Sequence, residues 1–246
     1  MKILAVIPAR YASQRFPGKP LVQIGDKPMI QRVYDAAKNC SDFAEVIVAT
    51  DDDRIADCVH QFGGRVEMTS SDHETGTDRV AEVASRYPEM DVVVNVQGDQ
   101  PFVTPQMLSQ LVHPYRQGEI PVMTTLACPL PPDDSYTDPN TVKVLCDRLG
   151  NALYFSRSPI PYYRNPMENA PVYHHLGLYA FERQFLTQYA QLTPTPLEHC
   201  EGLEQLRVLE HGFKIRVCLT EKAVIEINTP EDLLKANNVL RNSEHE

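Results

Sequence analysis

Short apolar runs alternate with stretches of helical period along the first half of the chain. Ile3–Ile7, Val46–Ala49, Val66–Met68, Val92–Val96 and Val122–Ala127 read as strands. Met29–Lys38 sets Met29, Ile30, Val33, Ala36 and Ala37 at helical spacing, and Arg54–Gln61, Asp78–Arg86 and Pro105–Tyr115 repeat that period. Val92–Val96 is interrupted only by Asn95, the texture of a strand covered on both faces by helices. The alternation predicts an α/β fold: a doubly wound, mostly parallel sheet with right-handed crossovers.

After Leu130 the texture changes. A loop rich in Pro and Asp runs to Asn140, and Val142–Cys146, Ala152–Ser156 and Leu176–Phe181 follow as strands with few helices between them. Residues 130–190 therefore read as an α+β region inserted into one domain spanning 1–246. Such a region suits acceptor binding or dimer contacts. Gln184–Ala190 and Leu197–His211 read as helices, the second ended by Gly212. Strand Lys214–Leu219 and a helix starting at Pro230 complete the pattern.

Composition narrows the partners. The 246 residues carry a net charge of −10, so the bulk surface repels nucleic acid and acidic membranes. No apolar stretch approaches the roughly 18 residues of a membrane span. Met1–Pro8 is apolar but too short for a signal-peptide core, which predicts a cytoplasmic protein. The six cysteines stand singly, without metal-type spacing, and read as small apolar side chains. Against the acidic background, Arg10–Lys19 holds Arg10, Arg15 and Lys19 and no acid.

Three strands end in unusual polar loops, and ligands of open parallel sheets bind beyond the carboxyl ends of strands. The first loop can surround phosphate oxygens with Arg10, Arg15 and Lys19, while Gly18 lets backbone approach; it lacks the Walker A pattern. A solvated basic loop is the other reading. In Gln97-Gly98-Asp99, the Asp99 carboxylate follows the most apolar strand and suits Mg²⁺ facing a triphosphate; a turn Asp bonding its own backbone is the alternative. Asp51, Asp52 and Asp53 precede a helix and read as capping groups rather than metal ligands.

The strings Ala9-Arg10-Tyr11-Ala12-Ser13, Pro17-Gly18-Lys19-Pro20-Leu21 and Asn95-Val96-Gln97-Gly98-Asp99 resemble those of sugar nucleotidyltransferases. Tyr154-Phe155-Ser156-Arg157, His175-Leu176-Gly177 and Leu203-Glu204-Gln205-Leu206-Arg207 single out a resemblance to the 3-deoxy-manno-octulosonate (KDO) cytidylyltransferases, in order and over almost the whole length. That resemblance implies a nucleotide-diphospho-sugar transferase-like fold, Mg²⁺ as cofactor and a homodimer. It implies that CTP and a 3-deoxy-octulosonate sugar acid give a CMP-sugar and pyrophosphate for lipopolysaccharide precursors. Arg10, Ser13, Arg15, Lys19, Thr77, Arg79 and Gln97 would bind the nucleotide, with Arg15, Lys19 and Asp99 acting in catalysis. Arg157, His175, Tyr179, Glu204 and Gln205 would hold the sugar acid, and Arg164 is a weaker candidate. Adjacent helical positions diverge by about 100°, so Glu204 and Gln205 cannot face a ligand equally.

The metal pair implied by the resemblance is Asp99 and residue 228, where the family carries Asp and this chain has Asn228. An amide oxygen can still coordinate Mg²⁺, without the charge. If a strand extends that far, Glu226 shares a face with Asn228 and could partly substitute for it. Asp232 is assigned to the start of a helix with Thr229 at its N-cap. Two other readings compete: another sugar nucleotidyltransferase of the CMP-sialic acid type, and a non-catalytic nucleotide-sensing module.

Overall fold

In this computed structural model the described residues are 1–12, 16–130, 136–165 and 171–243. Ser13 and Arg15 lie outside them. The chain forms two compact units, Met1–Ser109 with Val224–Glu246, and Gln110–Ala223. The second contains the stretch 130–190 read as an insertion and extends beyond it on both sides.

The first unit opens with β1 (Ile3–Ala9), whose Leu4–Ile7 core is fully enclosed. A 3-10 turn (Lys19–Leu21) and a small hairpin of β2 (Gln23–Ile24) and β3 (Lys27–Pro28) lead into α1 (Met29–Lys38). Next come β4 (Glu45–Thr50), α2 (Asp53–Gln61), β5 (Val66–Met68), α3 (Gly76–Ser85), β6 (Val92–Asn95) and the first residues of α4 (Pro105–Arg116), most of which belongs to the second unit. The strands of this unit lie in the order β6-β1-β4-β5, all parallel, with Leu4 opposite Glu45 and Ile3 opposite Val92. Parallel pairing needs a crossover between neighbours, and α1, α2 and α3 supply it. Every strand therefore ends at the same edge, which gathers the three polar loops.

Helix starts follow side-chain chemistry. Asp52 caps α2, its carboxylate accepting from Arg54 N at 3.0 Å. Thr75 and Asp78 form a reciprocal capping box at α3, which starts two residues before the helix expected at Asp78 because Thr75 captures the Asp78 N–H.

The second unit holds β7 (Met123–Pro129), β8 (Lys143–Cys146), β9 (Ala152–Ser156), β10 (Val172–Glu182), α5 (Arg183–Tyr189), α6 (Pro196–Glu201), α7 (Gln205–Glu210) and β11 (Ile215–Leu219). β10 runs antiparallel to β7 and β8, β8 antiparallel to β9, and β11 parallel to β7. The expected helix Leu197–His211 is two helices. Gly202 adopts φ 62°, a left-handed conformation that ends α6 before α7 begins.

The chain then returns to the first unit. Ile227 is fully buried in a cluster with Ile24, Met29 and Ala236, and α8 (Pro230–Ser243) closes the chain. Thr229 and Asp232 cap α8 reciprocally, and Asp232 also accepts from Asn228 N at 3.1 Å. Asp232 thus serves the helix start, as its sequence context suggests.

Candidate active site

In the first unit, the β1 and β6 loops meet at a glycine. A Cβ on Gly98 would sit 2.8 Å from Pro8 O, so only glycine lets the two chain segments come this close. One residue on, Asp99 accepts from Lys19 Nζ at 2.8 Å, with side-chain exposures of 27% and 15%. Partial exposure leaves the pair open to an incoming ligand. Ile227 N–H donates to Asp99 O at 2.9 Å and fixes the returning segment beside this loop.

That segment brings Glu226 and Asn228 to the same place. Gln100 Nε2 donates to Glu226 Oε1 at 3.0 Å, and Asn228 Nδ2 donates to Glu226 Oε2 at 3.4 Å. The surrounding protein pushes the Glu226 carboxyl above the ordinary carboxylate range, and the negative Asp99 adds to that. The side chain still reaches solvent.

The magnesium ion implied by the sequence resemblance can be tested against these groups. Asp99, Glu226 and Asn228 are hard oxygen donors, and the two carboxylates oppose each other electrostatically. Among the described residues no group of three or more His, Cys, Asp and Glu is placed to hold a metal. A cation here would rely on substrate oxygens as well, as Mg²⁺ does when it bridges one or two carboxylates to phosphates. The residues fit.

Next to the loops, Arg79 is completely buried on α3. Its guanidinium lies 3.2 Å from Asp51 and donates to Thr69 Oγ1; burial lowers its affinity for its proton and Asp51 opposes that. Arg10 Nη1 donates to Glu74 O at 2.8 Å, and the Arg54 guanidinium stacks 3.2 Å from the Tyr11 ring centre. Thr77 is buried and accepts weakly from Asn95 Nδ2 at 3.4 Å. Arg10 Nη2, Arg79 Nε and Asn95 Oδ1 are shielded from water without a hydrogen-bond partner among the described residues. Each unmatched buried polar atom costs about 1–3 kcal/mol, which a ligand offering matching groups removes. Gln97 sits half-buried between β6 and Asp99, its carbonyl accepting from Gln100 N.

The second unit gathers the residues that the resemblance assigns to the sugar acid. His175, Tyr179 and Gln205 form a buried chain. Tyr179 OH donates to Gln205 Oε1 at 3.0 Å, and Gln205 Nε2 lies 3.5 Å from His175 Nδ1. His175 Nε2 lies 2.9 Å from Thr125 Oγ1, whose hydroxyl donates to Leu178 O at 2.8 Å. With that hydroxyl proton committed, His175 carries its proton on Nε2 and is neutral. Burial, aided by His174, pushes its pKa down to about 3.

Arg157 donates from Nε to Glu201 O at 2.8 Å and from Nη1 to Pro139 O at 3.0 Å. Glu204 is half-buried at the N-cap of α7 while Gln205 is enclosed, so the two adjacent positions do face differently. Arg164 lies in the loop before residue 166, its backbone N–H donating to Tyr162 O.

Sequence reasoning gave no role to Lys143. Its fully enclosed ammonium donates to the carbonyls of Asp138, Thr141 and Arg157 at 2.9, 2.7 and 2.7 Å, joining two loops. The signal was a lysine between two strand valines. Asp51 was read with its neighbours as a cap; Asp52 takes that role, and Asp51 faces Arg79.

The mostly parallel sheet, with loops at its carboxyl edge, defines the class: a nucleotide-diphospho-sugar transferase-like α/β fold. Residues 4–215 match the cytidylyltransferase family. A 3-deoxy-manno-octulosonate cytidylyltransferase from Acaryochloris marina is 70% identical, covering 96% of both chains. One of the same name from Synechococcus elongatus is 57% identical, covering 96% of this chain and 97% of its own. A solved CMP:2-keto-3-deoxy-manno-octonic acid synthetase complexed with CTP superposes with a TM-score of 0.93 at 42% identity, over 99% of this chain and 100% of that one. A 4-diphosphocytidyl-2C-methyl-D-erythritol synthase from Anaerococcus prevotii, 18% identical, shares the fold with a TM-score of 0.65, over 98% of this chain and 96% of its own. The chain belongs to the family of 3-deoxy-manno-octulosonate cytidylyltransferases.

Proposed function

We propose that this protein couples CTP to 3-deoxy-manno-octulosonate, giving CMP-KDO and pyrophosphate for lipopolysaccharide precursors. The observation that carries this reading is the Lys19–Asp99 pair at the parallel-sheet edge, within a chain 70% identical to a protein named for that reaction. Attack by the anomeric hydroxyl of the sugar acid on the α-phosphorus of CTP forms the new P–O bond. The bond to the leaving pyrophosphate breaks, and the hydroxyl proton passes to solvent.

Arg10 and Lys19 are the described cations for the phosphates, and Arg15 would join them. Lys19 leaves Asp99 for a phosphate oxygen when the nucleotide binds, which places positive charge where the transition state gains negative charge. Thr77 and Arg79 border the nucleotide, where the unmatched donors and acceptor await partners. In the second unit, Arg157 pairs with the sugar carboxylate, while the chain of His175, Gln205 and Tyr179 shapes the acceptor site. Asp99, with the residues around 226–228, would hold Mg²⁺, which when bound offsets phosphate charge and aligns the leaving group.

The reaction belongs in the cytoplasm, where CTP is made; no helix among the described residues is long and apolar enough to cross a membrane. A homodimer completes the proposal. The test is pyrophosphate release with CTP, Mg²⁺ and a panel of sugar acids: KDO, its 8-amino relative and sialic acid. Release dependent on KDO or its 8-amino relative supports the reading. Release with sialic acid alone, or none with any acceptor, overturns it.

A further inference from the structure

The Glu226 carboxylate lies against the Asp99 loop, hydrogen-bonded to Gln100. It lies two residues before Asn228, the position at which this chain carries an amide in place of the expected acid. Ile227 between them is buried and its N–H is bonded to Asp99 O, so the side chains of 226 and 228 leave the backbone together beside the Asp99 loop. The Glu226 oxygens accept from the neutral amides of Gln100 and Asn228, and among the described residues Glu226 joins no ion pair. Lys19, the nearby cation, is instead committed to Asp99.

We propose that Glu226 is the second acidic ligand of the metal site, supplying from position 226 the charge that Asn228 lacks, with Asn228 and Gln100 acting as amides that orient it. This deepens, and rests on, the reading of the chain as a metal-assisted cytidylyltransferase. Asp99 and Glu226 bring like charge to one loop edge, which a divalent cation that also took phosphate oxygens would offset. The arrangement moves the charge by two residues along the returning segment, which is not a strand here, while the Asn228–Glu226 hydrogen bond keeps the two side chains together. It also assigns the Asn228 amide a role of its own, because its N–H₂ donates to Glu226 where an Asp could only repel it.

The test is direct Mn²⁺ binding, read from loss of the free-ion paramagnetic resonance signal, with and without CTP and without sugar. Four proteins are compared: the parent, Glu226→Gln, Asn228→Asp, and the double variant. Glu226→Gln should weaken protein-held Mn²⁺ about tenfold or more, since site charge sets divalent-ion affinity. Restoring the acid at 228 in the double variant should bring affinity back to within about threefold of the parent, which a purely structural role for Glu226 would not produce. Equal affinity of the parent and Glu226→Gln, a double variant as weak as Glu226→Gln, or no Mn²⁺ held by the parent beyond that bound to CTP would overturn the proposal. These readings need no turnover. Transfer activity with unchanged Mn²⁺ affinity in Glu226→Gln sinks this inference alone, while the charge-swap pattern without any CTP use sinks the proposed reaction alone.

Discussion

Lys19 Nζ sits 2.8 Å from Asp99 Oδ2, so the cation proposed to bind phosphate and the acid proposed to hold metal are paired with each other. They come from loops 80 residues apart, joined because β1 and β6 are parallel neighbours that end at one edge. A nucleotide with its metal can replace this pair by two better-matched contacts: ammonium to phosphate, and carboxylate to cation.

Asp99→Ala should therefore abolish nearly all turnover while the fold survives, because the side chain lies at a loop surface and not in the core. Initial-rate kinetics with CTP and KDO check this. Retention of more than about a tenth of kcat, equivalent to roughly 1.4 kcal/mol of barrier or less, would argue against a role in holding the metal.

Nucleotide choice follows from the buried groups around Arg79. If, as proposed, these polar atoms pair with cytosine, a purine leaves them unmatched, so kcat/KM for CTP should exceed that for ATP by about 10² or more. Arg79→Met should narrow that ratio, since it removes both the guanidinium and its hold on Asp51. Comparable values for the two nucleotides in the parent protein, measured side by side, would remove the cytidylyl assignment.

Much of this arrangement can be read in the sequence, for physical reasons. Met29–Lys38 keeps a clean helical period, and its bounds agree with α1 to the residue. Ile3–Ile7 and Val92–Val96 are apolar because both faces of the sheet are covered, and they lie as parallel neighbours. The helix expected over Leu197–His211 fails at Gly202, because the apolar period continues across a residue whose left-handed backbone breaks the helix. Asp51 and Asp52 have the same chemistry and adjacent numbers; only tertiary placement sends one to Arg79 and the other to a helix end. Lys143 finds its three carbonyls on loops closed by pairing of β8 with β9, which no local pattern encodes.

His175 gives the protein a pH signature. Its imidazole stays neutral in the fold down to about pH 3, whereas an ordinary histidine takes up a proton near 6.5. Between those values the unfolded chain binds more protons, so stability rises with pH and is lost as pH falls through about 6.5 toward 3. Urea midpoints over that window should fall more steeply for the parent than for His175→Gln. Parallel slopes would mean that His175 gains no protection from its place beside Thr125 and Phe155.

Lys143→Met should unfold at lower urea than the parent, by about 2–4 kcal/mol, because three part-buried carbonyls lose their donor together. Its kcat with saturating substrates should fall less than its KM for the sugar acid rises, since the ammonium holds the Arg157 backbone and touches no substrate. An unchanged urea midpoint would contradict the role of this lysine in fixing the two loops.

The central claim is cytidylyl transfer to a 3-deoxy-octulosonate, and the most direct measurement is product identity and stoichiometry in one incubation with CTP, KDO and Mg²⁺. Mass spectrometry should find the CMP-linked sugar acid, with one pyrophosphate released for each molecule formed. Inorganic phosphate without pyrophosphate, or pyrophosphate without any CMP-linked sugar, would contradict it.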